Sequence, residues 1–90
     1  MRDVVRTKAF RKEEKRAQRR GRDMAKLVEV VELLAAGKPL DLKYKAHPLK
    51  GTKILLWELH IAPDWLLIYY LTDDEVYLSM GTHADLFKGN

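Results

Sequence analysis

Residues 65–71, Trp-Leu-Leu-Ile-Tyr-Tyr-Leu, form an almost unbroken apolar run that ends against Thr72-Asp73-Asp74-Glu75. A run of that length suits a strand and is far too short for a membrane span. A strand without polar alternation is covered on both sides, so this run predicts the central strand of a sheet. The polar residues after it make a tight turn, and Val76 to Met80 returns as a hairpin partner. Upstream, Ile54 to Ile61 reads as another strand, broken off by Pro63.

The N-terminal half follows a different period. Arg2 to Arg6 reads as a short edge strand, and Thr7 is placed to cap a helix over Lys8 to Arg20. That helix has a narrow apolar stripe (Ala9, Phe10, Ala17) and a broad basic face, and Gly21 ends it. Asp23 caps a second helix, Met24 to Ala36, whose Leu27, Val28, Val31, Leu34 and Ala35 form the buried face. Gly37 and Pro39 stop it. Residues 38–53 read as an irregular connection pinned by Leu40, Leu42, Tyr44 and Leu49, and a C-terminal segment after Gly81 docks Leu86 and Phe87. The order β-α-α-β-β-β predicts an α+β fold, two N-terminal helices packed on a small antiparallel-rich sheet, in one domain spanning 1–90.

Charge narrows the function. Residues 1–50 carry 15 Lys/Arg against 7 Asp/Glu, and residues 51–90 carry 2 against 6. A basic half beside an acidic half attracts polyanions to one side of the molecule. There is no cysteine, hence no disulfide framework and no thiolate metal site. Neither a membrane span nor the apolar core of a signal peptide is present, so a cytoplasmic protein is expected.

All three histidines stand beside turns or strand ends: His47 in His47-Pro48-Leu49-Lys50-Gly51, His60 in Leu59-His60-Ile61-Ala62-Pro63-Asp64-Trp65, and His83 in Gly81-Thr82-His83-Ala84-Asp85-Leu86-Phe87. Histidine exchanges protons near neutral pH, so this set points to acid–base chemistry on an anionic substrate. Each also has a simpler reading: His60 as a structural strand residue, Asp64 as a turn brace after proline, His83 as a helix cap, Phe87 as a core plug. No pair has the compact spacing of zinc motifs, and no metal or cofactor is expected.

These motifs, together with Arg20-Gly21 and Asp23, resemble the RelE/ParE superfamily of bacterial toxins from toxin–antitoxin pairs, most closely its YafQ-like branch. The resemblance runs from about Phe10 to Phe87. It implies a ribosome-dependent endoribonuclease that cuts mRNA, with an antitoxin protein and the ribosome as partners. Carried over by motif, His60, Asp64 and His83 take catalytic positions, and His47, Lys50 and Phe87 take RNA-contacting ones. RNA supplies its own nucleophile, the 2′-OH, so the protein needs groups that move protons and stabilise charge on phosphorus. Phe87 then offers a ring for an unstacked base.

The resemblance also implies cations that this chain lacks. Trp57 and Ser79 stand where arginines are expected, and Tyr70 where a basic residue is common. Fewer cations imply weaker RNA binding and slower cleavage. Alternation places Ile54 and Leu56 on the side of His60, and with Trp57 and Tyr70 they form a candidate protein interface. The alternative to a nuclease is therefore a repurposed or engineered scaffold that binds a protein partner or forms a homodimer.

Overall fold

The computed structural model describes residues 1–87, Phe87 by its backbone alone. Strand β1 (Asp3–Val5) leads into helix α1 (Lys8–Arg19), whose first turn is capped by Thr7 Oγ1 accepting from the Phe10 N–H at 3.1 Å. Helix α2 (Met24–Ala36) is capped by Asp23, whose carboxylate accepts from the Ala25 N–H. Both helices end on a left-handed glycine, Gly21 (φ 77°) and Gly37 (φ 68°). At each end the next two N–H groups bond back to the last turn: Gly21 to Gln18 and Arg22 to Ala17, then Gly37 to Leu34 and Lys38 to Leu33. This pairing satisfies carbonyls that a helix end leaves open, and the positive φ costs glycine nothing.

A 3-10 turn (Leu42–Tyr44) follows, then β2 (His47–Pro48), β3 (Trp57–Ala62), β4 (Trp65–Leu71), β5 (Glu75–Gly81) and a short final helix α3 (His83–Phe87). The sheet order is β1-β5-β4-β3-β2, with β1 parallel to β5 and every other pair antiparallel. The apolar run 65–71 is the middle strand, as its pattern predicts. The fold is α+β, two helices on one face of a five-stranded sheet.

The core lies between those helices and that face. Phe10, Leu27, Val30, Val31 and Leu34 meet Leu59, Ile61, Leu67, Tyr69, Val76, Leu78 and Met80. The alternate residues of the strands, Glu58, His60, Ile68, Tyr70 and Ser79, belong to the opposite face, which the two long helices leave open.

Four expectations need correcting. Val28 is 48% exposed while Val30 is fully buried. The buried face of α2 runs 27, 30, 31, 34, and residue 28 is turned about 100° from 27. Ala9 is likewise exposed on α1. Leu42 is 92% exposed, because the 3-10 turn commits Tyr44 to the core instead. Finally, β3 begins at Trp57, where Pro48 and Tyr69 pair on its two sides. Residues 50–55 form the tip of a β2–β3 hairpin, closed by the Leu49 N–H on the Leu56 carbonyl at 2.8 Å.

Candidate active site

The β3–β4 hairpin turns through Pro63 and Asp64. Asp64 is left-handed (φ 54°), as the residue after proline must be in a type II turn. The ladder slips between His60 and Ala62, so the strand bulges just before the turn. The Asp64 carboxylate does not brace its own turn. Its Oδ1 accepts from the His83 backbone N–H and meets the His83 ring Nδ1, each at 3.0 Å. Those two contacts, the backbone N–H first, hold the Asp64 carboxyl below the usual carboxylate range.

The same contacts fix the histidine. A carboxylate facing Nδ1 requires the proton there, which puts the lone pair of neutral His83 on Nε2. Side-chain exposures of 57% for His83 and 60% for Asp64 leave the pair open to a large substrate. The His60 ring lies beside it, with centroids 6.2 Å apart and planes tilted by 55°. His83, 19 residues beyond Asp64, therefore converges on the hairpin that carries His60 and Asp64.

His47 does not join that group directly. Its Nδ1 faces the Lys45 carbonyl at 2.8 Å and its Nε2 faces Glu58 Oε1 at 3.2 Å. Glu58 is almost buried, two residues before His60 on the same side of β3. The pair thus fastens β2 to β3 and sets His47 one step along the strand from His60. Lys50 is exposed in the hairpin tip, away from any strand. Phe87 closes α3, and its side chain lies outside the described residues.

Sequence reasoning missed the cations that border His60. A cleft of about 540 Å³ is lined by Lys26, Lys43, Lys45, His60 and Asp64, with Glu29 and Tyr44 on its wall. Lysines from α2 and from the 3-10 turn are brought to the histidines only by tertiary folding. Arg22 adds a guanidinium whose Nη2 donates to the Asp64 carbonyl at 3.2 Å and which lies 5.6 Å above the Trp65 ring. Among the described residues no three His, Asp or Glu side chains are arranged to hold a metal ion.

Of the four residues expected to share an apolar interface, one departs and three stay together. Trp57 turns to the helix side, stacked on Tyr69 with centroids 6.4 Å apart and packed at the edge of the core. Ile54, Leu56 and Tyr70 line a shallow groove on the open face with Ile68 and Tyr77. Parity explains the split, since 57 and 56 point to opposite faces. Ser79 donates to Glu13 at 3.1 Å, and the same carboxylate accepts from the Met80 N–H at 3.2 Å. Beyond Tyr77 β1 no longer pairs with β5, and Glu13 covers that exposed edge.

Fold and site together define a class: a small basic α+β domain with two imidazoles and a carboxylate grouped at one end of its sheet. The family model described as "Bacterial toxin of type II toxin-antitoxin system, YafQ" matches residues 2–88. The chain is 42% identical over 88 residues to the mRNA interferase toxin YafQ of Escherichia coli strain K12, an alignment covering 96% of each. It is similar to the toxin in the crystal structure of the E. coli DinJ–YafQ toxin–antitoxin complex, with TM-score 0.88, 42% identity and coverage of 96% of this chain and 97% of that one. A metal-bound toxin from Helicobacter pylori gives TM-score 0.90 at 38% identity, covering 97% and 100%. The chain belongs to the YafQ family of bacterial type II toxins.

Proposed function

We propose that this protein is an mRNA endoribonuclease acting on translating ribosomes, with His60 and His83 sharing the two proton transfers and Asp64 orienting His83. The observation that carries the reading is the convergence of the two rings, 6.2 Å apart, with the carboxylate locked onto one of them. One imidazole takes the proton from the 2′-OH as that oxygen attacks phosphorus. The other gives a proton to the departing 5′-oxygen, leaving a 2′,3′-cyclic phosphate and a 5′-hydroxyl. Each transfer is worth typically 10²–10⁴-fold. Asp64 holds the ring and its tautomer rather than moving a proton itself, which refines the shared role that the motif implies.

Binding follows from the same geography. Lys26, Lys43 and Lys45 line the cleft beside His60 and supply positive charge to the RNA backbone. His47 and Lys50 extend this surface along β2 and the hairpin tip, and Phe87 is assigned to stack on a base. The E. coli relative in complex with its antitoxin supports a cognate antitoxin as the protein partner. A cytoplasmic location accords with a ribosomal target; among the described residues no helix is long and apolar enough to cross a membrane. The scaffold reading gains nothing from the relatives, and of its four residues Trp57 faces the helix side while Ile54, Leu56 and Tyr70 share a groove on the open face.

Cleavage of a defined mRNA on translating ribosomes, mapped by primer extension, tests the proposal. His83→Ala and His60→Ala are each expected to lower the rate by about 10²-fold or more, in line with the loss of one proton-transfer group. Unchanged cleavage in both variants would remove the histidines from the mechanism.

A further inference from the structure

The corner between α1 and α2, Arg20-Gly21-Arg22, touches Asp64 itself and the helix α3 that carries His83. Arg20 reaches Asp85 on α3, with Nη1 2.7 Å from Oδ2 and Nη2 3.4 Å from Oδ1. Arg16 adds a longer contact of 3.9 Å to the same carboxylate. Asp85 is also half of a reciprocal cap. Its Oδ2 accepts from the Thr82 N–H at 2.9 Å, and Thr82 Oγ1 accepts from the Asp85 N–H at 3.1 Å. This closes the first turn of α3 around His83 and Ala84, the two residues between them.

Arg22 leaves the corner in the other direction, to the Asp64 carbonyl and the face of Trp65. Gly21, left-handed between the two arginines, reverses the chain so that one serves α3 and the other the β3–β4 turn. Gly81 completes the fit: a Cβ there would lie 2.7 Å from the Asp85 Cβ, so α3 approaches β5 only because residue 81 has no side chain.

We propose that Arg20, Arg22 and Asp85 are positioning residues, a clamp in which the helix corner sets the distance and angle between Asp64 and His83. The inference rests on the nuclease reading for its kinetic consequence, but the geometric claim stands apart from it. Without the clamp, α3 is a five-residue helix, too short to hold its own orientation. Arg20 and Asp85 bond each other and Asp85 bonds Thr82, so both act on His83 through the start of α3.

The test pairs kinetics with the protonation pattern of the His83 ring. The folded wild-type protein is expected to show the Nδ1–H tautomer by two-bond nitrogen–proton NMR correlation. Arg20→Gln, which alters only a partly exposed guanidinium, and Asp85→Asn are expected to mix the tautomers. On translating ribosomes both variants should lower kcat by about 10- to 100-fold, the cost of a misplaced catalytic group, with KM nearly unchanged. Glu14→Gln breaks the ion pair between Glu14 of α1 and Arg6, which precedes that helix, and serves as the control for a merely structural loss. It is expected to move neither readout.

A His83 tautomer unchanged in both clamp variants would overturn the proposal, whatever the activity. So would a rate loss carried by KM alone. Should the wild-type protein cleave no RNA while the tautomer still responds to Arg20→Gln, the clamp stands and the nuclease reading falls.

Discussion

Asp64 and Asp85 are carboxylates whose partners are part of the fold, and this gives them a pH signature. Backbone and ring N–H groups of His83 depress Asp64; the Arg20 guanidinium, then the Thr82 N–H, depress Asp85 more strongly. In the unfolded chain both should titrate near pH 3.9. A depressed folded value means the stabilisation is complete above the unfolded value and lost as pH falls through the folded one. Urea midpoints should therefore be flat from pH 7 to about 5 and drop below about 4. Asp85→Asn should be less stable at pH 7 and show a shallower drop in acid; an equal drop in both proteins would place the acid sensitivity elsewhere. His60, Asp64 and His83 were legible as motif residues. The role of Asp64 was not, because a carboxylate after proline looks like a turn brace until its cross-chain partner is seen. The Thr82-x-x-Asp85 spacing was a readable capping signal; Arg20, 65 residues away, was not a readable partner for it.

Helices α1 and α2 follow almost entirely from local chemistry. Thr7, Asp23, Gly21 and Gly37 each supply what a helix end lacks, and the boundaries fall within two residues of those markers. Asp23→Ala should cost about 1 kcal/mol by losing the cap. Gly37→Ala should cost about 1–2 kcal/mol, since an L side chain disfavours the left-handed φ there. Equilibrium urea unfolding reads both, and a neutral Gly37→Ala would show that the C-terminal turn rearranges cheaply. The β2–β3 hairpin was less legible. A two-residue strand containing proline has no pattern of its own, and what makes His47–Pro48 a strand is its register against Trp57 and Glu58. The apolar letters 54–56 imitated a longer strand, but no partner extends that far on both sides.

At the scale of the whole molecule, two layers divide the labour. The helix side is a packed core in which Phe10 is completely buried. Phe10→Ala should lose about 3–5 kcal/mol, a large share of the stability of a small domain. The same urea titration checks it. The open side carries the histidines, with lysines from the basic half along its rim. Ribosome binding should weaken in Lys43→Gln/Lys45→Gln, and the slope of log affinity against log salt should fall by about 1–1.5 if both lysines contact a single RNA strand. An unchanged slope would move the RNA path off this cleft.

Sequence alone settled the two long helices, the order of the longer strands, the central strand and which residues were candidates for acid–base work, because caps, periodicity and motif spacing are local properties. Tertiary structure decided which of those residues meet. It turned Trp57 inward and set His47 against Glu58. It drew Lys26, Lys43 and Lys45 to His60 and joined the α1–α2 corner to the Asp64–His83 pair. Such contacts depend on strand register and on the angle at which helices lie across the sheet. Those quantities are fixed by packing the entire core at once, and no single stretch of the chain contains them.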